Sequence, residues 1–96
     1  MKVRYSRRAT SDLESIREFL SDRSLIGAAN VLAAIYAAIE FIRRNPRGAE
    51  KTNIPAVYGK TVRKYSFKVF YRAVESDTVV EIVHIRHASR KSWEGE

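Results

Sequence analysis

Two histidines three positions apart, His84 and His87, are followed at short range by Arg90, Lys91 and Trp93, with Arg86 between them. Imidazole changes its protonation near neutral pH, so His87 has the chemistry of a proton shuttle. Guanidinium groups hold phosphate through paired hydrogen bonds, the service that Arg63, Arg72 and Arg90 offer, with Arg86 in the same basic set. Lys91 adds charge. Trp93 offers a face on which a base could stack, worth about 1–3 kcal/mol in single-strand binders. Each residue also has a plainer role. His84 alternates with Val80, Ile82 and Arg86, as a packed or capped strand residue would. His87 lies at a strand end and can bond a nearby carbonyl. Arg72 can pair with Glu81 across neighbouring strands. Arg63 and Lys64 suit an exposed sheet edge, where charge prevents edge-to-edge association. Arg90 and Lys91 can be a solvated tail, and Trp93 a hydrophobic latch over the sheet. Without cysteine the two histidines make a weak metal site, and no nucleotide-cradling or zinc-protease motif is present, so neither metal nor cofactor is expected.

The elements that must position these residues follow from hydrophobic period. Residues 2–6 alternate, with Val3 and Tyr5 on one face, and predict a short strand. Ala9, Leu13, Ile16, Phe19 and Leu20 then recur at spacings of three and four, which predicts a helix over residues 8–22 with Ser6 as its N-cap. Ser24 is the expected N-cap of a second helix, carrying Leu25, Ala28, Leu32, Ile35 and Ile39. So short a link makes the two helices an antiparallel hairpin. Asn45-Pro46 ends the second helix, because proline lacks the backbone donor. Residues 47–59 read as a loop. A strand including Val62, Arg63, Lys64 and Tyr65 should follow, then a strand bearing Phe67, Val69, Tyr71 and Ala73 on one face. Glu75, Ser76 and Asp77 make a turn into a last strand over residues 78–86, apolar on both faces and therefore central. The expected fold is α+β: one domain over residues 1–96, β-α-α-β-β-β, with the helical hairpin packed on a mainly antiparallel four-stranded sheet and the first strand beside the last.

Charge is distributed unevenly. The net charge is +7, and residues 43–91 carry twelve Lys/Arg against four Asp/Glu. That half should meet something negative: nucleic acid, an acidic protein or both. Absence of cysteine fits a reducing cytoplasm, and charges interleaved through the first five residues do not read as a signal peptide. The apolar run 25–42 contains Asn30 and Glu40 at helical period and is expected to be a buried helix, with no membrane partner.

Together these segments resemble the RelE/ParE toxins of type II toxin–antitoxin systems, more on the ParE side. The resemblance rests on Val3-Arg4-Tyr5-Ser6 with Ala9, Asp12-Leu13 and Ile16. It continues through Ile39, Ile42, Asn45-Pro46 and Gly48, then the strand Phe67–Val69–Tyr71–Arg72, then the run from Val80 to His87 and Arg90 with its His-x-x-Arg ending. It implies a growth-inhibiting, plasmid-stabilising toxin neutralised by a cognate antitoxin, with operator DNA reached only through that antitoxin. Two targets are known in the superfamily: DNA gyrase for ParE-like members, and messenger RNA in the ribosomal A site for RelE-like ones. In the second case the chain would be a metal-independent endoribonuclease with His87 and Arg90 as its catalytic pair. Otherwise Arg63, Arg72, Arg86, His87, Arg90, Lys91 and Trp93 bind the target or the antitoxin. No tyrosine follows Tyr71, whereas many nuclease members end with a catalytic one. Glu94 and Glu96 in the tail would repel RNA. Both features favour the gyrase branch. A small nucleic-acid-binding module without toxicity is the alternative from another class.

Overall fold

The computed structural model describes residues 1–74 and 78–87. Strand β1 (Lys2–Tyr5) leads through Ser6 into helix α1 (Arg7–Ser21), and Ser24 opens helix α2 (Leu25–Arg44). Both serines cap as expected: Ser6 Oγ accepts the Ala9 N–H and Ser24 Oγ the Gly27 N–H, each at 3.0 Å. These side chains satisfy helix-end donors that have no partner within the helix. Helix α2 ends at Asn45, ahead of Pro46, with Arg43 and Arg44 in the last turn, where the helix dipole favours cations.

Among the described residues the sheet has five strands in the order β1-β5-β4-β3-β2, against the four expected. The added strand, β2 (Glu50–Lys51), pairs antiparallel with β3 (Val57–Val62) inside the segment read as loop. Residues 63–65 are not strand either. Arg63–Tyr65 form a 3-10 turn, and Ser66 takes a left-handed conformation (φ 58°) to close the hairpin into β4 (Phe67–Val74). The reason is register. Gly59 faces Phe70 and Val62 faces Phe67, so the strand must begin near Val57. The apparent continuation past Val62 is the turn. β5 (Val79–His87) runs antiparallel to β4 and parallel to β1, and is central as its two-sided apolar pattern demanded.

The core lies between the helical hairpin and one sheet face. Val31, Ile35, Ile39 and Ile42 of α2 and Ala9 of α1 meet Val62, Phe67, Val69, Tyr71, Val80, Ile82 and Ile85. Helix α2 is long and apolar enough to cross a membrane by length and composition, but this stripe is committed to the sheet. Burying a side chain of this size contributes about 1.5–3 kcal/mol. Tyr71 is fully buried. It stacks on Tyr58 with centroids 5.6 Å apart and donates its hydroxyl to the Pro46 carbonyl at 2.9 Å. Sheet and helix exit are thereby tied together. Burial, then the neighbouring Tyr58, pushes the Tyr71 phenol up to about 12.

Candidate functional site

The face of the sheet away from the helices carries the site. Strand alternation puts Lys2 and Arg4 of β1, Lys68, Phe70 and Arg72 of β4, and Glu81, His84 and Arg86 of β5 on it. One irregularity sets its chemistry. Phe70 pairs with His84 but Tyr71 pairs with Ile82, so β5 carries a bulge at Val83. An extra residue inverts the alternation that follows. Val80, Ile82 and Ile85 therefore all reach the helix-covered core, while His84 and Arg86 turn to the other face. The simple alternation of His84 with Val80 and Ile82 does not hold.

Below Ile82, β5 loses its neighbour, because β1 has already turned into α1. Ser6 manages that departure. Its N–H donates to the Ile82 carbonyl (2.9 Å) and its hydroxyl to the Val83 carbonyl (3.0 Å). Helix α1 then takes over the edge. Asp12 Oδ2 accepts the Ile85 N–H at 2.9 Å and His84 Nδ1 at 2.7 Å. A carboxylate only accepts, so the imidazole presents Nδ1–H to it. The His84 ring lies flat against Phe70, with centroids 5.7 Å apart and planes within 14°. Burial is the largest influence on this histidine and lowers its pKa. The Asp12 hydrogen bond and charge act upwards, and Arg8 and Arg86 act downwards again. His84 is thus a buried, neutral imidazole at neutral pH, held in one tautomer.

Around it the surface is cationic. Lys68 pairs across the strands with Arg86, and their charged ends lie 5.5 and 5.8 Å from the Phe70 ring centre. Gly59 lies opposite Phe70, and a Cβ there would come within 2.6 Å of Lys68 Cε. Its lack of a side chain makes room for the lysine stem to cross β3. Arg8 belongs to the same cluster through its action on His84.

The residues singled out from sequence are not gathered into one centre. Arg86 faces the open side, and its Nη1 donates to the His87 carbonyl at 3.1 Å. His87 itself points to the opposite side and meets Phe67 edge-on at 5.1 Å. Arg72 sits about 13 Å along β4 from Lys68, at about 3.3 Å per residue. Its Nε donates to Glu81 Oε1 at 2.8 Å, while Arg4 Nε donates to Oε2 at 3.1 Å, which is the cross-strand pairing expected for it. Arg63 lies in the 3-10 turn at the hairpin tip and is exposed. Arg90, Lys91 and Trp93, and the turn at Glu75, Ser76 and Asp77, lie outside the described residues. Sequence reasoning missed Lys68, Phe70, Asp12 and Arg8 as members of the cluster. The strand period already placed Lys68 and Phe70 on the face opposite Phe67 and Val69. Asp12 and Arg8 carried no comparable signal, since both look like ordinary residues of a solvated helix face. Among the described residues no cluster of His, Asp and Glu has the make-up of a metal site.

A family model described as the ParE toxin of type II toxin–antitoxin systems, parDE, matches residues 3–92. No curated protein sequence matches the chain significantly. Among solved structures the chain is similar to a chromosomal ParDE toxin–antitoxin system from P. aeruginosa, with TM-score 0.79 and 18% identity over 93% of this chain and 97% of that one. It is also similar to the isolated E. coli RelE toxin (TM-score 0.61, 15% identity, 95% and 87% covered). The intact E. coli RelBE complex gives TM-score 0.61 at 16% identity, with 93% and 98% covered.

Proposed function

Because the chain belongs to the ParE toxin family of type II toxin–antitoxin systems, we propose that it stops bacterial growth by acting on DNA gyrase and is neutralised by a cognate antitoxin. The observation that carries this reading is the family match across residues 3–92.

The state of the ionisable side chains supports binding rather than RNA cleavage. Cutting at a 2′-hydroxyl needs a group that takes a proton and another that gives one. Among the described residues, His84 already donates to Asp12 and is walled in by Phe70. Tyr71 is buried on the helix side with its hydroxyl bonded to Pro46. His87 points away from Arg86 and Lys68. What the open face offers is fixed positive charge in a defined array, which suits docking against an acidic surface. Lys68, Arg86 and Arg8 form its centre in this reading. In the same reading His87, on the opposite side of β5, and Arg90, Lys91 and Trp93 are binding residues rather than catalysts, and Arg72 and Arg63 flank the array. Operator DNA is contacted only through the antitoxin.

Pulse-labelling of DNA and protein synthesis just after induction in a bacterium tests this, alongside supercoiling by purified gyrase. The expected result is early failure of DNA synthesis, filamentation and inhibited supercoiling, relieved by the antitoxin. Early failure of protein synthesis with supercoiling intact would replace this reading by a ribosome-dependent nuclease. Truncation after His87 is expected to abolish toxicity while the fold persists. A fully toxic truncation would remove the C-terminal residues from the site.

A further inference from the structure

At the end of the open face away from Lys68 and Arg86, one row of residues crosses three strands. Arg4 of β1 lies beside Glu81 of β5, and Glu81 beside Arg72 of β4. Glu81 accepts Arg4 Nε on one oxygen at 3.1 Å and Arg72 Nε on the other at 2.8 Å. Two strand spacings, about 10 Å, separate the arginine backbones, yet one carboxylate draws both guanidinium groups over β5. Stability does not require the second arginine, because one cation already neutralises the carboxylate and exposed pairs stabilise little. What the arrangement provides is order. Each guanidinium has five N–H donors and spends its Nε–H on Glu81. The fork ends remain, on side chains that are 48% and 50% exposed. Two arginines and one glutamate leave a surplus positive charge, and Lys2 adds another, two residues back along β1 on the same face.

The other end of the face is cationic as well. Lys68, Arg86 and Arg8 lie there, and Lys68 is about 13 Å along β4 from Arg72. Between the two ends is a neutral strip of Gly59, Phe70 and His84. Phe70 is fully buried and His84 nearly so, so neither ring is a platform on which a base could stack. Glu50, opposite Gly59 on β2, bounds the strip on that side. A polyanion is thereby confined to the ground over β1, β5 and β4.

We propose that this face straddles duplex DNA, with Arg4, Arg72 and Lys2 on the phosphates of one strand and Lys68, Arg86 and Arg8 on those of the other. The inference rests on the gyrase reading and names the acidic surface that the array meets, which is the DNA that gyrase holds. The two cationic ends are spaced like the backbones bordering the major groove, about 12 Å wide. A phosphodiester carries one charge over two free oxygens. Two guanidinium forks meeting from opposite sides suit it through paired, charge-assisted hydrogen bonds. Single strands are held largely by stacking on exposed aromatic side chains, and the strip between the cations presents none. Contacts to phosphate alone fix position and carry no base sequence. The face therefore does not distinguish an operator, in keeping with operator contact through the antitoxin.

The test titrates the intact chain into a fluorescein-labelled duplex of about 30 base pairs, and into its single strand, between about 50 and 200 mM salt. Duplex binding is expected at micromolar concentration, alike for two unrelated sequences, and tighter than single-strand binding. Arg4→Gln and Arg72→Gln each leave Glu81 with one arginine, and circular dichroism should show the fold unchanged. Each should weaken duplex binding about tenfold and lower the slope of log affinity against log salt by about one. Arg17→Gln removes the same charge from the exposed surface of α1 on the helix side and should change affinity less than about twofold. Equal losses in all three variants would overturn the site, since total charge alone would then govern binding. Single-strand binding as tight as duplex binding would overturn it too. Inhibition of supercoiling by a chain that does not bind the duplex would overturn the site and leave the toxin reading standing, with an acidic protein surface as the contact. Duplex binding that depends on Arg4 and Arg72, with supercoiling untouched, would support the site and refute the gyrase reading.

Discussion

Replacing Asp12 with alanine probes the link between helix α1 and the sheet edge. The carboxylate accepts from a backbone donor and from a ring donor, Ile85 N–H and His84 Nδ1, at 2.9 and 2.7 Å. The His84 side chain is 8% exposed and that of Asp12 21%, so water replaces the lost acceptor poorly. A buried donor left unpaired costs about 1–3 kcal/mol, and two partly buried ones about 3 kcal/mol together. Total stability for a domain of this kind is about 5–15 kcal/mol, so the loss is a large fraction of it. With a urea slope of about 1.5 kcal/mol per molar, the midpoint should fall by about 2 M. Urea unfolding followed by far-ultraviolet circular dichroism measures this, with Glu18→Ala on the exposed face of α1 as control. Asp12→Asn keeps one acceptor and should lose about half as much. In amide exchange, Ile85 should open faster in both variants. A midpoint shift no larger than that of the control would refute the argument, because the edge of β5 would then be held by something other than Asp12.

Three further outcomes follow from the same geometry. His84 is held below its ordinary value of 6.5, burial being the main cause, so the unfolded chain binds a proton that the folded chain refuses. Its contribution is fully present above about pH 6.5 and is lost as pH falls from there through the folded-state value. Between pH 7.5 and 5 the urea midpoint should drop, and His84→Gln should flatten that drop. An unchanged slope in His84→Gln would show that another group governs it. Glu81→Gln breaks the pairs with Arg4 and Arg72, whose side chains are 48% and 50% exposed. It should cost only about 1 kcal/mol, shrinking in 0.5 M salt by about half because exposed pairs are screened. A loss unaffected by salt would contradict a screened surface pair. Gly59→Ala meets the flexible end of Lys68 at 2.6 Å. The lysine should swing aside at a cost below about 1 kcal/mol, a fall in Tm of less than about 8 °C, while toxicity falls because the basic array is displaced. Full toxicity would remove Lys68 from the target contact.

What local chemistry decides was legible along the chain. Ser6 and Ser24 cap their helices through bonds to residues three positions on, and Asn45-Pro46 stops α2, since each device acts within a few residues of itself. The two-sided apolar pattern of β5 identified it as central, which placed β1 beside it. The segment 47–65 was misread because a strand is defined by its partner. Glu50–Lys51 and Val57–Val62 carry little alternation of their own and become strands by pairing, Val57–Val62 with β4 and Glu50–Lys51 with Val57–Val62. Nothing nearby in sequence announces that.

The candidate site divides in the same way. The sequence by itself determined that positive charge would gather in the second half, that Phe67 and Val69 would point away from Lys68 and Phe70, and that Arg72 had Glu81 as a partner, because charge and period two are properties of a single strand or neighbouring pair. Only the tertiary structure decided that His84 would be turned to the open face by a bulge at Val83, separated from His87, and tied to a carboxylate 72 positions earlier in the chain. A bulge is fixed by the fit of two strands and a helix at once. The helix must cover the stretch of β5 that β1 leaves, and Asp12 is the residue that this placement brings to the exposed backbone donor.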